Sequence, residues 1–317
     1  MVQWPRLKKK KINSVLNGIS IDAAGVSWVL MDTLSGLHVK DAQFQACSDG
    51  NWSEALEVLV ESTRMRGDVY ISLSEEKYNL LLIDAPDVPD NELSDAIRWR
   101  VKDLISQPID SVVMDFFVLP EDAYRGRMKM IYVAVVDKSL VQSIVSVCDE
   151  HDLNIENISI HEVSLSNLLF ASGMTEGEGT GLVSLGATSG QMRLVESGNL
   201  YLARNIDSGV DRLTGWNEEE LTDYDLAQCD QVMFDIKRSL DYYESQLGKG
   251  AVNNVILMPA DVNLLRLSSV LNEKMPVNVQ PWLWPSAENI TYEAACQDVM
   301  NQCTAAIGAV AGGWLEN

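Results

Sequence analysis

A strand pattern that occurs twice, about half a chain apart, constrains the fold of this sequence most strongly. The first copy begins at Gly18 with an apolar strand, passes through a turn of small residues into a second strand, and reaches a third through Ser35-Gly36. The second copy begins at Gly181 and reaches its third strand through Ser197-Gly198. A repeat of this length indicates a duplicated structural unit. We therefore predict two related α/β halves within the 317 residues.

Further elements separate the two copies. A strand that runs to Ile83 is followed by Pro86 and Pro89, and a helix capped by Asp90 or Asn91 is predicted to begin there. Strands over 112–119, 129–136 and 155–160, with a helix over 138–151, make a mixed block. The predicted organisation is a basic arm over 1–17, a first subdomain over 18–83, an inserted α/β subdomain over 84–160 and a second domain over 161–317.

The stretch over 80–108, LLLIDAPDVPDNELSDAIRWRVKDLISQP, carries the most specific motif. Its helix has an apolar face that includes Ile97 and Val101, while Arg98, Trp99 and Lys102 point away from that face together. On composition alone, Trp99 flanks the core and the two cations form a solvated face. The alternative is that the three side chains form a docking surface.

The order of strand, IDAPDVP, acidic cap and AIRWRVKDLI resembles the PilM family, the actin-like cytoplasmic proteins of type IV pilus assembly. The run DIKRSLDYY, at 235–243, also resembles that family, so the resemblance covers both halves. It implies an actin-like fold of two facing ribonuclease H-like domains with a small α/β subdomain inserted in the first half. Within the family the chain is similar to the MshI proteins of mannose-sensitive haemagglutinin (MSHA) pilus systems, and more distantly to the cytoplasmic domain of GspL in type II secretion.

The resemblance also implies a partner. In that family the junction of the first and inserted subdomains receives the cytoplasmic N-terminal peptide of PilN, an inner-membrane protein. Carried onto this sequence, the docking groove lies near Leu82, Asp84, Arg98, Trp99 and Lys102. Leu82 and Trp99 would supply apolar contact, and Arg98 or Lys102 would recognise acidic or carbonyl groups of the peptide. Other proteins of the pilus platform are further expected partners.

Actin-like ATPases hold the nucleotide phosphates between two hairpin turns of the form apolar-Asp-x-Gly. The Asp orients a water on Mg²⁺, and the Gly lets backbone N–H groups approach the phosphates. In one alignment of the first turn, Ser20 takes the Asp position and Asp22 the Gly position. In the alternative register Asp22 is the family Asp, but Ala24 replaces the Gly.

The second turn and the adenosine site have also changed. Gly186 matches the second turn, but Ser184 stands at its Asp position, and Met258 and Pro259 replace the Gly-Gly pair expected over the adenosine. We predict a degenerate nucleotide cleft with no cofactor, in a scaffold rather than a catalyst. The alternatives are an ATPase that binds ATP and Mg²⁺ in a looser mode, with Gly186, Thr188 and Ser189, to switch pilus assembly, and an actin-like polymer subunit.

Charge and hydropathy limit the remaining function classes. The chain has 24 Lys and Arg against 46 Asp and Glu, a formal charge of -22, which argues against binding nucleic acid through its phosphates. Arg6 and Lys8 to Lys11 make a basic arm that would contact an anionic membrane surface or an acidic partner, or serve as a disordered solubilising tail. Scattered cysteines and no apolar run of about 20 residues predict a cytoplasmic protein, peripheral to the inner membrane.

Overall fold

The computed structural model describes residues 14–47, 50–123, 129–174, 179–218, 220–260, 262–284 and 289–315. The chain divides into two compact units. Unit 1 consists of Met1–Glu121, Gly126–Leu168 and Ile290–Asn317, and unit 2 consists of Asp122–Arg125 and Leu169–Asn289. Most of the predicted basic arm, residues 1–13, lies outside the described residues.

The described residues form strands and helices in the following order. The strands are β1 (Val15–Ile21), β2 (Gly25–Asp32), β3 (Leu37–Ala46), β4 (Gly67–Leu73), β5 (Tyr78–Asp84), β6 (Val112–Val118), β7 (Met130–Asp137), β8 (Leu153–Ile160), β9 (Thr180–Leu185), β10 (Gly190–Glu196), β11 (Asn199–Ile206), β12 (Asn254–Leu257), β13 (Asn278–Pro281) and β14 (Ile290–Tyr292). The helices are α1 (Trp52–Thr63), α2 (Asp90–Lys102), α3 (Lys138–Glu150), α4 (His161–Ala171), α5 (Asp223–Ser245), α6 (Leu264–Lys274) and α7 (Thr304–Leu315).

The two large sheets share one plan. In unit 1 the order is β14-β3-β2-β1-β4-β8, and in unit 2 it is β11-β10-β9-β12-β13. In each sheet the three strands of the repeat are antiparallel, and two further strands continue the sheet in parallel from the first strand of the repeat. The duplication read from the sequence therefore corresponds to two sheets that share a five-strand topology, to which β14 adds a sixth strand in unit 1. The predicted α/β class is confirmed.

A third, smaller sheet belongs to unit 1 and has the order β5-β7-β6. Helix α2 packs on it, because Ile97 and Val101 share an apolar cluster with Ile83, Ile131 and Val133. We expected β5 in the first subdomain and β8 in the inserted one. Instead β5 pairs with β7 in the small sheet, and β8 pairs with β4 in the large sheet of unit 1.

The predicted side-chain cap of α2 is wrong. The helix begins at Asp90, its N-cap is Pro89, and no side chain accepts a hydrogen bond from its first turn. A backbone group takes the place of a side-chain cap: the carbonyl of Pro89 accepts a hydrogen bond from the N–H of Glu92 in the first turn. Proline in the cap position fixes the direction in which the chain enters the helix.

The terminal apolar run does not pack where the sequence led us to expect. The run, residues 305–314, falls within the predicted second domain (161–317), but α7 packs on β1, β2 and β4 of unit 1. The approach is close, since a Cβ added to Gly18 of β1 would lie 2.3 Å from the carbonyl oxygen of Ala306. Within the described ranges, no helix is both long and apolar enough to cross a membrane.

Candidate functional site

The outer face of α2 carries the aromatic and basic residues singled out from the sequence. Trp99 is 71% exposed, and the Nζ of Lys102 lies 5.4 Å from its ring centroid. Arg98 is already engaged, because its Nη2 donates to the carbonyl of Ile109 at 2.9 Å and to Oδ1 of Asp110 at 3.1 Å. Together with Asp95, these five side chains line a shallow pocket of about 250 Å³.

Leu82 lies on the other side of the small sheet from Trp99. Successive side chains of a strand point to opposite faces, and Ile83 contacts the cluster beneath α2. Leu82 therefore points to the opposite face, where its partner Tyr132 packs against Phe117 at 5.4 Å between ring centroids. The five residues predicted to form one groove are thus divided between two faces, because the sheet separates them.

Asp84 is held by its backbone, while its side chain faces solvent. Its backbone carbonyl accepts a hydrogen bond from Nη1 of Arg100, which ties the end of β5 to α2. Its side chain is exposed. Arg100 was not among the predicted residues, although it follows Trp99 directly in the sequence.

An apolar groove that was not predicted from the sequence lies on the face of the small sheet away from α2. It encloses about 200 Å³ and is flanked by β6, the terminal strand of the small sheet, and β8, the terminal strand of the large sheet of unit 1. Helices α3 and α4 contribute Val141 and Val163 to its wall. The lining residues are Leu73, Val113, Met114, Asp115, Phe116, Phe117, Ala134, Val136, Val141, Ile158, Ser159, Ile160 and Val163.

The groove has the features of a site for an extended peptide. A terminal strand presents backbone donors and acceptors along its outer edge, and here two such strands flank one apolar lining. Consecutive residues 113–117 of β6 contribute to the lining, as do 158–160 of β8. The signal in the sequence was the apolar character of both faces of the small sheet, which predicts that something covers each face.

The first hairpin turn of unit 1 places a carboxylate on its own backbone donors. Asp22 follows β1, and its Oδ1 accepts hydrogen bonds from the N–H groups of Ala24 and Gly25, both at 2.9 Å. Burial raises the pKa of Asp22 above its ordinary value, although these two hydrogen bonds oppose the shift. Ser20 is buried within β1. It pairs with Ser27, one residue pair before the last pair of the hairpin, Ile21 with Val26.

In unit 2 a buried cation contacts the strand that leads into the corresponding turn. Arg193 of β10 is fully buried, and its Nη1 donates to Oγ of Ser184 at 2.7 Å. The carbonyls of Gly186 and Ala187 accept hydrogen bonds from a following segment, which leaves Thr188 exposed at the tip. Arg193 was not predicted from the sequence, because a lone arginine in an apolar strand carries no spacing signal.

The ends of β9 and β12 lie side by side in unit 2, as their parallel pairing requires. The N–H of Met258 donates to the carbonyl of Val183 at 2.7 Å, so Met258 and Pro259 come next to the turn that contains Ser184. Met258 is buried and Pro259 is half-buried. The residues of unit 2 predicted from the nucleotide motifs are therefore brought together at one end of its sheet.

The polar groups of these two turns do not fit a nucleotide triphosphate with bound Mg²⁺. In the first turn the N–H groups that would bind phosphate oxygens already donate to the carboxylate of Asp22. In the second turn a guanidinium contacts the position at which an Mg²⁺-orienting carboxylate is expected, and a fixed cation repels a metal ion. No group of three or more His, Cys, Asp or Glu side chains suited to a metal occurs in the part of the chain that the structure describes. Loss of nucleotide binding stays a prediction.

Similarity to solved structures identifies the fold, which similarity in sequence does not. No protein-family model and no curated protein matches the sequence significantly. The structure is similar to a chain of the PilM–PilN type IV pilus biogenesis complex, with a TM-score of 0.72 and 19% identity over 95% of this chain and 99% of that chain. It is also similar to a protein of actin-like ATPase fold and unknown function from Bacteroides thetaiotaomicron, with a TM-score of 0.52 and 11% identity over 92% of this chain and 95% of that one. The chain therefore has an actin-like fold.

Proposed function

We propose that this chain is a cytoplasmic scaffold of a type IV pilus assembly platform of the MSHA type. In this role it binds the cytoplasmic N-terminal tail of a PilN-like inner-membrane protein. The observation that carries the proposal is the apolar groove of unit 1 between the terminal strands β6 and β8. The likeness in fold to a chain of the PilM–PilN complex supports the same role.

The groove suits a tail better than the outer face of α2 does. An extended peptide gains affinity from main-chain hydrogen bonds to a sheet edge and specificity from side-chain pockets between the strands. The pocket beside Trp99 contains two cations and two carboxylates, of which Arg98 and Asp110 already pair with each other. The placement predicted from the sequence, with Arg98, Trp99 and Lys102 in contact with the partner, is the competing hypothesis, and the same experiment tests it.

Calorimetric titration tests the docking site. The ligand is a synthetic peptide that covers the cytoplasmic N-terminal tail of the PilN-like protein from the same organism. We expect Ile158→Asp, which puts a charge into the apolar lining, to abolish binding, and Trp99→Ala, on the other face of the small sheet, to leave it unchanged. Thermal unfolding of each variant controls for folding. Loss of binding in Trp99→Ala with retention in Ile158→Asp would move the site to α2.

We further propose that the nucleotide cleft is degenerate and that the protein does not hydrolyse ATP. The occupied donors of the first turn and the buried Arg193 support this. A ligand present at a hundred times its dissociation constant stabilises a protein by about 2.7 kcal/mol. We expect ATP with Mg²⁺ to leave the melting temperature unchanged, and a reproducible rise would favour the nucleotide-switched alternative.

The remaining parts of the proposal concern the membrane. The five cations among the first eleven residues would hold the scaffold near an anionic lipid surface, at about 1 kcal/mol per cation close to the membrane. The scaffold would then be peripheral to the inner membrane and would also contact other platform proteins. Cosedimentation with vesicles of anionic lipid, compared with vesicles of neutral lipid, tests this attraction, and equal binding to both would contradict it.

A further inference from the structure

Asp115 is the one ionisable side chain among the thirteen residues that line the groove of unit 1, within the described part of the chain. It lies in the middle of β6 and is exposed, and its side chain shares a sheet face with Val113 and Phe117. No salt bridge joins it to a cation of the described residues. Its apolar neighbours partly desolvate the carboxyl group, which raises its pKa above the ordinary value.

The carboxylate also covers part of the outer edge of β6. The N–H of Leu119 donates to the carbonyl of Met130 at 2.9 Å, so the N–H groups of odd-numbered residues point towards β7. The N–H of Phe116 then points outward, and Oδ1 of Asp115 accepts it at 2.8 Å. An edge protected by a charge resists indiscriminate pairing with other strands. Any strand that docks here must bring a group that compensates Asp115.

We propose that Asp115 determines which peptides the groove accepts: the occupant is an extended segment of a partner, aligned along β6, with a Lys or Arg side chain facing Asp115. The inference rests on the proposed function and specifies the chemistry of the tail. An apolar or acidic segment would desolvate an unpaired carboxylate, which is unfavourable, whereas a cationic segment pairs with it. The formal charge of -22 also favours the approach of a cationic segment.

A peptide series tests the selection directly. The probes are fluorescent ten-residue peptides of alternating Val and Thr that differ at one central position, which is Lys, Gln or Glu. For the full chain we expect the Lys peptide to bind about tenfold more tightly than the Gln peptide and the Glu peptide to bind most weakly, as measured by fluorescence anisotropy. In Asp115→Asn, which keeps an oxygen acceptor for the N–H of Phe116, the three peptides should bind alike. In Asp115→Lys the Glu peptide should bind most tightly.

The partner's tail separates failure of this inference from failure of the proposed function. If the tail binds the unmodified chain and Asp115→Lys lowers its affinity about tenfold or more, both the proposed function and the selection by Asp115 are supported. A tail that binds the unmodified chain, Asp115→Asn and Asp115→Lys equally, but not Ile158→Asp, keeps the scaffold and overturns the selection by Asp115. A tail that binds none of them overturns the proposed function, and the peptide series alone then decides on Asp115. Equal binding of all three peptides to the unmodified chain would overturn the inference.

Discussion

Substitution of Gly308 by Ala should destabilise unit 1, because α7 packs on neighbouring backbone with no room for a Cβ. Nine residues of α7 are buried, and a Cβ at Gly308 would lie 2.1 Å from the carbonyl oxygen of Ser164 in α4. The two helices would have to separate by about 1 Å, and overpacking of this kind costs about 1–3 kcal/mol. Because the obstructing atom belongs to the backbone, we take the upper end of that range. The helix propensity of Ala returns about 1 kcal/mol, so the net loss should be about 2 kcal/mol.

Differential scanning calorimetry of the full chain measures this loss. A net loss of about 2 kcal/mol corresponds to a fall in Tm of about 4–8 °C for a domain of 150–250 residues. The matched control is Gly250→Ala, since an added Cβ there meets no atom within 4 Å and the change should stay within about 0.5 kcal/mol. Equal melting temperatures for Gly308→Ala, Gly250→Ala and the unmodified chain would refute the packing of α7 described above.

Three further predictions concern turns, caps and charges. Thr222→Ala should cost about 1 kcal/mol in urea unfolding, because the Thr222 hydroxyl accepts the N–H of Asp225 in a capping box at the start of α5. A hydrogen bond from Lys249, at 2.6 Å, holds the pKa of Asp122 below its ordinary 3.8, so this pair should stabilise the fold above that pH and lose its effect as the pH falls below it. Lys249→Met should remove that part of the acid dependence, and an unchanged acid unfolding curve would contradict the assignment. Asp22→Asn should be at least as stable as the unmodified chain at pH 7, because its side-chain oxygen still accepts the two turn N–H groups while the partly buried negative charge is removed. Asp22→Ala loses the acceptor and should be less stable. Thermal unfolding at pH 7 compares the two variants.

The repeat and its topology were predictable because strand and turn signals are local. Gly18 lies in β1 and Gly181 in β9, which take equivalent places in the two large sheets with the same neighbouring strands. The partners of later strands were less predictable. β8 could have joined either sheet of unit 1, since a strand of eight residues in which apolar and polar side chains largely alternate does not encode which edge it extends.

The division of the predicted docking residues has a similar cause. The run from Leu80 to Ile83 is apolar at every position, so it gives no alternation from which to assign Leu82 to a face. The run is apolar throughout because both faces of the small sheet are covered or lined by apolar residues. Helix α2 covers one face, and the opposite face is the one on which the groove lies. The Ala- and Gly-rich sequence of α7 likewise has no amphipathic face, and only the close approach to Gly18 identifies its sheet.

Hydrogen–deuterium exchange of the full chain, with and without the tail of the PilN-like partner, tests the central claim most directly. Backbone amides on the outer edge of a strand exchange readily until a docked strand or apolar cover protects them. We predict that the tail slows exchange in residues 113–118 of β6 and 157–160 of β8, and leaves exchange in α2 around Trp99 unchanged. Protection confined to α2, with β6 and β8 unaffected, would contradict it.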